Sequence, residues 1–415
     1  MSKTIIIGGG VIGLTTAWEL HQRGEHVVVL DARTAGMAAS AANAGYIASS
    51  LPGPVPAPGL VRTSLRWMLD PESPLYIRPR ADKAFLQWMY RFWRACNAPS
   101  YDAGLYASAE LLRGTPAHIQ RWRDAGIAFE VHDYGRLIAY QRKDVMEADL
   151  AAYAKMAAFD VVMPTPMHGD DLHAFEPALS AAITAAYFLE GEQTVEPVSF
   201  VNGLIASLEE AGVDIRHGAP VVDIVTAGKR VVAVRTPSER IDADHVLIAA
   251  GAWSGQVSKL VGEKLPIEGG KGYALDFTGA PTKPKRSISL RDAKIAVSPF
   301  EGGLRLSGTM ELSGFSDELT MRRIEAIHTG AKRFLKNVPD APTHIRSGLR
   351  PVAPDGLPVL GYVGDFTNLT VATGHSMLGV TMSGVTSVLM AELITTGKVP
   401  DVLKPFSPAR FTGML

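Results

Sequence analysis

Apolar positions along the chain change period several times, and each change marks an element. Lys3-Thr4-Ile5-Ile6-Ile7 is a short β-branched run, the pattern of a parallel strand buried on both faces. Gly8-Gly9-Gly10-Val11-Ile12-Gly13 follows it, and from Gly13 to Arg23 the residues Leu14, Ala17 and Leu20 recur at helical spacing. Gly24 stops that helix, and His26 to Leu30 is a second strand ending at Asp31. Together they predict a βαβ unit.

Leu51 to Gly59 carries Pro52, Pro54, Pro56 and Pro58 and is expected as an extended loop. Two or three helices are expected between Val61 and Arg123, strands with a turn from Phe129 to Tyr140, and a strand at Ala186 to Leu189. Val198 to Ala211 reads as a helix and Val213 to Arg216 as a strand. Val221 to Val225, Val231 to Thr236 and Arg240 to Ile248 read as a β-meander. Short alternating strands from Gly272 to Gly314 predict an antiparallel sheet, followed by a helix from Leu319 to Asn337. The last third closes with a Pro-Asp-Gly turn, a strand at Leu369 to Ala372, a glycine loop and a helix from about Leu378 to Thr396.

Composition narrows the class. The 415 residues are 47% hydrophobic and 20% charged, in the range of a soluble globular protein of two or three domains. Lys+Arg 41 against Asp+Glu 42 leaves a net charge of -1, so no basic field points to nucleic acid. Cys96 is the single cysteine, which excludes an internal disulfide or a cysteine-rich metal centre and suits a reducing compartment. No signal-peptide pattern precedes the first strand, and the expected location is the cytoplasm. Two stretches resemble membrane elements. Ser376 to Ile394 is apolar but dotted with Ser, Thr, Gly and Glu392, as a helix buried in protein would be. Leu60 to Cys96 interleaves seven Lys/Arg with Trp67, Trp88, Tyr90, Phe92 and Trp93, against three acids, and offers a peripheral contact with the anionic inner face of a membrane.

The chemistry begins at Gly8-x-Gly10-x-x-Gly13. The first glycine makes the tight turn, the second lets backbone approach a pyrophosphate, and the third lets helix and strand pack. The helix start, Val11 and Ile12, offers free N–H groups to phosphate. Asp31 follows Gly13 by 18 residues and is placed, with Ala32 and Arg33 beside it, to accept from ribose hydroxyls and repel a 2′-phosphate. The pattern alone fits NAD or FAD. Three further stretches favour FAD. Ala39-Ser40-Ala41-Ala42-Asn43-Ala44-Gly45 is small enough for backbone to pass an extended ligand. The meander, with Val222 near its start, ends in the small-residue turn Ala249-Ala250-Gly251-Ala252-Trp253. Gly374-His375-Ser376-Met377-Leu378-Gly379-Val380-Thr381 opens the final helix, whose N–H groups can meet a flavin carbonyl.

These stretches, with Glu176-Pro177-Ala178-Leu179, Lys271-Gly272-Tyr273, Gly308-Thr309-Met310-Glu311, Gly348-Leu349-Arg350-Pro351 and Pro354-Asp355-Gly356, resemble the D-amino acid oxidase superfamily of flavoproteins. Within it they are most similar to bacterial D-amino acid dehydrogenases. The resemblance implies an α/β fold: a Rossmann-like FAD-binding domain from residues 1–50, 195–265 and 345–415, and a substrate domain on an antiparallel or mixed β-sheet from 51–194 and 266–344. It implies FAD held non-covalently, since Cys96 is far from where relatives attach flavin. Asp31 stands where Glu is commoner, Tyr46 where the dehydrogenases tend to have Gln, and Ser376 where Gly is common. The last two bear on the substrate.

The activity implied is oxidation of a small D-amino acid, D-proline or D-hydroxyproline included, to an imino acid and then a 2-oxo acid and ammonia. Relatives that oxidise glycine or sarcosine, and flavin-binding subunits of multi-subunit dehydrogenases, are the alternatives. Quinone, oxygen or a redox partner protein is the electron acceptor. FAD supplies the hard step, so orientation is the protein's main task. The resemblance places Arg350 over the flavin as the fork for the substrate carboxylate, with Arg346 as runner-up. Tyr273, Tyr46 and His375 are the further candidates for contact with substrate or flavin. Glu311 is read as support for the sheet, and His168 to His173 as a polar loop without ligand geometry.

Overall fold

The computed structural model describes residues 2–50, 52–67, 73–159, 161–280, 283–316 and 318–412. The side chains of Thr63, Leu65, Arg66 and Trp67 lie outside that description, as do Leu51, Asp70 and Glu72 from the proline loop and the basic aromatic segment. Strand Lys3–Ile7 pairs in parallel with His26–Leu30 on one side and His245–Ile248 on the other. Asp214–Arg216 and Leu369–Thr373 extend this sheet in parallel, and Val359–Tyr362 closes one edge antiparallel. Ile5 and Ile6 are fully buried because both faces of the sheet are covered.

Helix Val11–Gln22 makes the crossover, with Leu14, Ala17 and Leu20 wholly buried. Helix Gly379–Thr396 packs against it and against Thr115–Asp124. By length and composition this last helix could cross a membrane. Here Val380, Met382, Met390 and Leu393 are instead part of the core under the parallel sheet.

The second layer is a mixed sheet of nine strands. Its path is His344–Val352, Glu268–Thr278, Gly303–Leu312, Ile295–Phe300, Ser287–Leu290, Arg136–Tyr140, Ala185–Leu189 and Thr165–His168, with Leu75–Ile77 beside Gly303–Leu312. Neighbours are antiparallel except where Ser287–Leu290 meets Arg136–Tyr140 and Gly303–Leu312 meets Leu75–Ile77. Helix Met321–Phe334 buries Ile324, Ile327, Ala331 and Phe334 against it. A small sheet of Tyr46–Ile47, Gln193–Val195 and Val131–His132 lies between the layers in the chain path.

Several expectations change in detail. Arg240 to Ile248 is two strands in two sheets: Arg240–Asp242 ends the meander, and His245–Ile248 enters the parallel sheet. The break is polar, with Asn368 Nδ2 donating to the carbonyls of Asp244 and Val231. Among the described residues, four helices, not two or three, occupy residues 60 to 124. Asn97 is the reason for one break: its side chain accepts from Ser100 N–H and starts helix Ala98–Leu111. The expected helix from Leu319 to Asn337 is shorter, because Leu335 is extended and bridges Leu179. His344–Val352, sequence that held a motif but no expected strand, runs along the edge of the nine-stranded sheet.

Candidate active site

A cavity of about 560 Å³ lies at the carboxyl ends of the parallel strands and reaches to Gly272, Gly348 and Arg350 on the nine-stranded sheet. Open α/β sheets place ligands at this edge. Gly8 has φ +114°, and a methyl there would sit 2.4 Å from Ala249 O. A methyl on Gly13 would sit 2.0 Å from Gly8 O. Gly13 therefore packs helix on strand and does not itself line the cavity, whereas Gly8, Gly10, Val11 and Ile12 do. Gly10 gives no side-chain cap and the first turn has no acid, so the helix start is left open to an anion. Val11 N–H donates to Ser40 Oγ at 3.0 Å.

Asp31 accepts from the N–H groups of Gly9 (2.7 Å) and Arg33 (2.8 Å). Its carboxylate thus fixes the glycine turn as well as facing the cavity beside Ala32 and Arg33. Arg33 lies 4.7 Å above the Trp253 ring, and Phe315 packs on the same ring at 6.2 Å. Ala250, Gly251 and Trp253 all line this end. The meander contributes Val221 rather than Val222, whose side chain is half exposed, since neighbours in extended chain face opposite ways.

The small-residue loop is held by a side chain that the sequence analysis passed over. Arg305, 3% exposed, donates to the carbonyls of Ala41 (3.2 Å) and Asn43 (3.0 Å). Its other nitrogens are bound by Asp276 at 2.6 and 3.1 Å. An arginine set between Leu304 and Leu306 in a buried strand was the available signal. Asp276 also binds Arg346 at 2.9 Å, so the runner-up carboxylate fork is already occupied. Burial pushes the Asp276 carboxyl up, but the two arginines outweigh it and hold it below its ordinary value. Ala39, Ser40 and Asn43 line the cavity. Ala44 and Gly45 lie behind it: Ala44 O accepts from Ser298, and a methyl on Gly45 would meet Val195 O at 1.9 Å.

Arg350 is at the other end. Its Nη1 donates to Thr309 O at 2.5 Å, and no acidic side chain among the described residues pairs with it. Burial alone pushes its pKa down to about 10, which leaves it cationic near neutrality. The guanidinium lies over Gly272, where a methyl would meet it at 2.2 Å. Gly348 faces the loop, and a methyl there would be 2.8 Å from Ala39 Cα. Thr309 and Ser376 have φ +66° and +49°, conformations that cost a residue with Cβ about 1–2 kcal/mol. Strain of this kind gathers at sites of function.

His375 lines the cavity and bonds Thr386 at 3.2 Å through Nε2. Burial lowers its pKa to about 3, so the ring is neutral. Gly379 and Val380 line the same end. Gly374, Leu378 and Thr381 support it from outside: Gly374 turns the chain at φ +79°, Leu378 precedes the helix, and Thr381 Oγ1 donates to Tyr46 O.

Two expected contacts fall elsewhere. Tyr273 is fully buried on the face opposite Gly272, where its hydroxyl donates to Glu311 Oε2 at 2.9 Å and accepts from Thr320 N–H. The two-residue strand period puts it in the core beneath the sheet. Glu311 also meets Lys271 at 3.3 Å, and Lys271 donates to Glu318 O. This network holds Glu318 and Thr320 against the sheet. The Tyr46 hydroxyl is consumed by backbone, donating to Ile288 O at 2.7 Å and accepting from Val297 N–H at 2.8 Å. Burial pushes its pKa up to about 12.

The glycine cradle, the helix start without a side-chain cap and the small-residue loop define a dinucleotide-binding α/β protein. More narrowly, the chain belongs to the FAD dependent oxidoreductase (DAO) family, whose model matches residues 3–393. It is 30% identical to a D-amino acid dehydrogenase of Rhizobium rhizogenes over 99% of this chain and 100% of the relative. Identity is also 30% to a D-amino acid dehydrogenase of Granulibacter bethesdensis, over 96% and 97%. Its fold is similar to glycine oxidase from Geobacillus kaustophilus, with TM-score 0.78 and 21% identity over the whole of both chains. L-proline dehydrogenase from P. horikoshii matches with TM-score 0.75 and 18% identity over 99% and 97%. FAD is the cofactor of this family. The residues fit it: Gly8, Gly10 and the helix start suit the diphosphate, Asp31 the ribose, and Ala39, Ala42 and Gly348 leave room where side chains would close the cavity.

Proposed function

We propose that this protein is an FAD-dependent dehydrogenase of D-amino acids. The observation that carries the reading is Arg350: a half-buried cation with no acidic partner among the described residues, at the far end of a dinucleotide cavity. A planar guanidinium in that setting recognises a carboxylate in a two-pronged way that lysine cannot reproduce. Thr309 O fixes one nitrogen, and the missing side chain at Gly272 leaves the group room above the strand. Orientation of Cα then follows from the anchored carboxylate.

Bound FAD supplies the acceptor for the hydride that leaves Cα. Among the described residues no strong base lines this end: the titratable side chains there are Arg350 and neutral His375. The substrate amine reacts uncharged, its lone pair forming the imine as the hydride departs. Two electrons leave the substrate, and water then splits the imino acid into a 2-oxo acid and ammonia. Arg350⁺ favours this by opposing an ammonium group nearby.

The test is turnover of a panel of D-amino acids, their L-enantiomers, glycine and sarcosine with a dye acceptor and with oxygen. Ammonia and 2-oxo acid in equal amounts from D-amino acids, with the dye preferred, supports the dehydrogenase. Peroxide from glycine or sarcosine would move the protein to the amine-oxidase alternative. Activity only with a co-purified chain would mark a subunit of a larger dehydrogenase.

For the acceptor we propose delivery at a membrane surface, to quinone. Helix Lys83–Ala95 buries Phe85 and Trp88, the latter donating to Val352 O two residues from Arg350. Its outer face leaves Leu86, Tyr90 and Trp93 more than half exposed beside Lys83 and Arg94. A stripe of this kind suits the anionic inner face of a membrane. Sedimentation with phosphatidylglycerol vesicles, lost on L86S/W93S, is the expected result; equal recovery with and without vesicles at low salt contradicts it.

A further inference from the structure

The side chains lining the cavity can be sorted by whether protein already satisfies them. Ser40 Oγ accepts from Val11 N–H, Asn43 Oδ1 accepts from Gly45 N–H, and Thr373 Oγ1 donates to Gly251 O. His375 Nε2 meets Thr386, and both oxygens of Asp31 are engaged. Ser376 differs. Its Oγ is buried and has no hydrogen-bond partner. Its backbone is in the left-handed region, φ +49°, which favours glycine. A side chain kept there at the expense of strain, and left unsatisfied at the wall of a cavity, points to a ligand.

Its place is fixed relative to Arg350. Ser376 N–H donates to Pro351 O at 2.9 Å, and His375 bridges Val352. The serine therefore borders the same cavity, with its backbone tied to the residue after Arg350. Among the described residues no acid lines this end, and Asp31, the one acidic lining residue among them, is at the opposite end with the glycine turn. An acid beside Arg350 would hold the substrate nitrogen as ammonium and lock its lone pair. A hydroxyl does not.

We propose that Ser376 is a substrate-contact residue whose Oγ accepts an N–H of the uncharged α-amine while Arg350 holds the carboxylate. The inference rests on the amino-acid reading above and deepens it: the site takes an amine and carboxylate on one carbon, by a hydroxyl and a guanidinium. The nitrogen lone pair stays free to form the imine.

Two variants separate the hydroxyl from the backbone. Ser376→Ala keeps the strain and loses the oxygen; Ser376→Gly loses both. The holoenzymes are compared by benzoate binding, read from the flavin spectrum, and by flavin reduction with the D-amino acid that reduces wild type fastest. The expected result is a rise of about five- to tenfold in half-saturating amino acid for both variants, as loss of one neutral hydrogen bond gives. Benzoate affinity and the resting flavin spectrum stay unchanged, and the Gly variant melts above the Ala variant. Unchanged amino acid affinity overturns the proposal. So does an equal loss for benzoate, which would make Ser376 a support for Arg350, or a shifted resting spectrum, which would make flavin its partner. Failure of wild type to bind benzoate or to be reduced by any D-amino acid overturns the amino-acid reading itself.

Discussion

The two ends of the cavity treat their polar groups in opposite ways. At the dinucleotide end Asp31, Ser40, Asn43 and the supporting Arg305 are each satisfied by protein. Around Arg350 two are left open: the guanidinium donates to Thr309 O but has no acid among the described residues, and Ser376 Oγ has no partner, while neutral His375 is bonded to Thr386. Buried polar groups are costly to leave unmet. The satisfied end is scaffold, and holds its ligand by backbone and by room. The unsatisfied end keeps side chains open for what it recognises. Arg305 and Arg350 state the contrast within one sheet.

The largest effect should come from breaking the satisfied side. Asp276→Asn strips the buried Arg305 of its main partner, leaving Glu196 at 3.4 Å. Removing one member of a buried pair costs about 3–5 kcal/mol. Denaturant unfolding should show that loss, and gel filtration should show flavin lost from the variant. The pH sign follows from the lowered Asp276 carboxyl. Its stabilisation is complete above about pH 4 and is lost as pH falls through its lower folded value. Wild type should weaken in acid along that limb, and Asp276→Asn should show a shallower slope.

On the unsatisfied side, Arg350→Met should retain flavin and lower kcat/KM roughly ten- to 150-fold, the equivalent of about 1.5–3 kcal/mol for a charge-assisted bond. Benzoate binding should fall in parallel. A loss of flavin instead would place Arg350 with the scaffold and erase the distinction. The next expectation concerns His375. With its pKa lowered to about 3, kcat/KM should show no inflection near pH 6.5 and should rise only on the alkaline side, as the substrate amine loses its proton. An inflection near 6.5 that disappears in His375→Gln would contradict this. The smallest effect on activity is expected from Tyr273→Phe: KM unchanged, with about 1.5–3 kcal/mol of stability lost with the bond to the Glu311 carboxylate.

Much of the dinucleotide end was legible because its signals are local. Gly8, Gly10, Gly13 and Asp31 act within one βαβ unit, where spacing along the chain is spacing in the fold. The substrate end was less legible because it is assembled from distant strands. Arg350 and Gly272 are brought together only by the register of Glu268–Thr278 with His344–Val352, which sets Gly272 opposite Gly348 and Gly270 opposite Arg350. Tyr273 and Val222 show what sequence alone leaves open: a motif gives a position, but the strand period decides which face a side chain takes. Arg305 was missed for the same reason, since its two carbonyl partners lie more than 260 residues away. Ser376 was visible as a departure from the family pattern. Its unmet hydroxyl and its φ needed coordinates.

The most direct measurement is an anaerobic titration of the purified flavoprotein with D- and L-amino acids, glycine and sarcosine, in wild type and Arg350→Met. The account predicts bleaching of wild-type flavin by D-amino acids, with the variant needing far higher concentrations for the same rate. Bleaching that is indifferent to Arg350, or seen with L-enantiomers, glycine or sarcosine in place of D-amino acids, would contradict it.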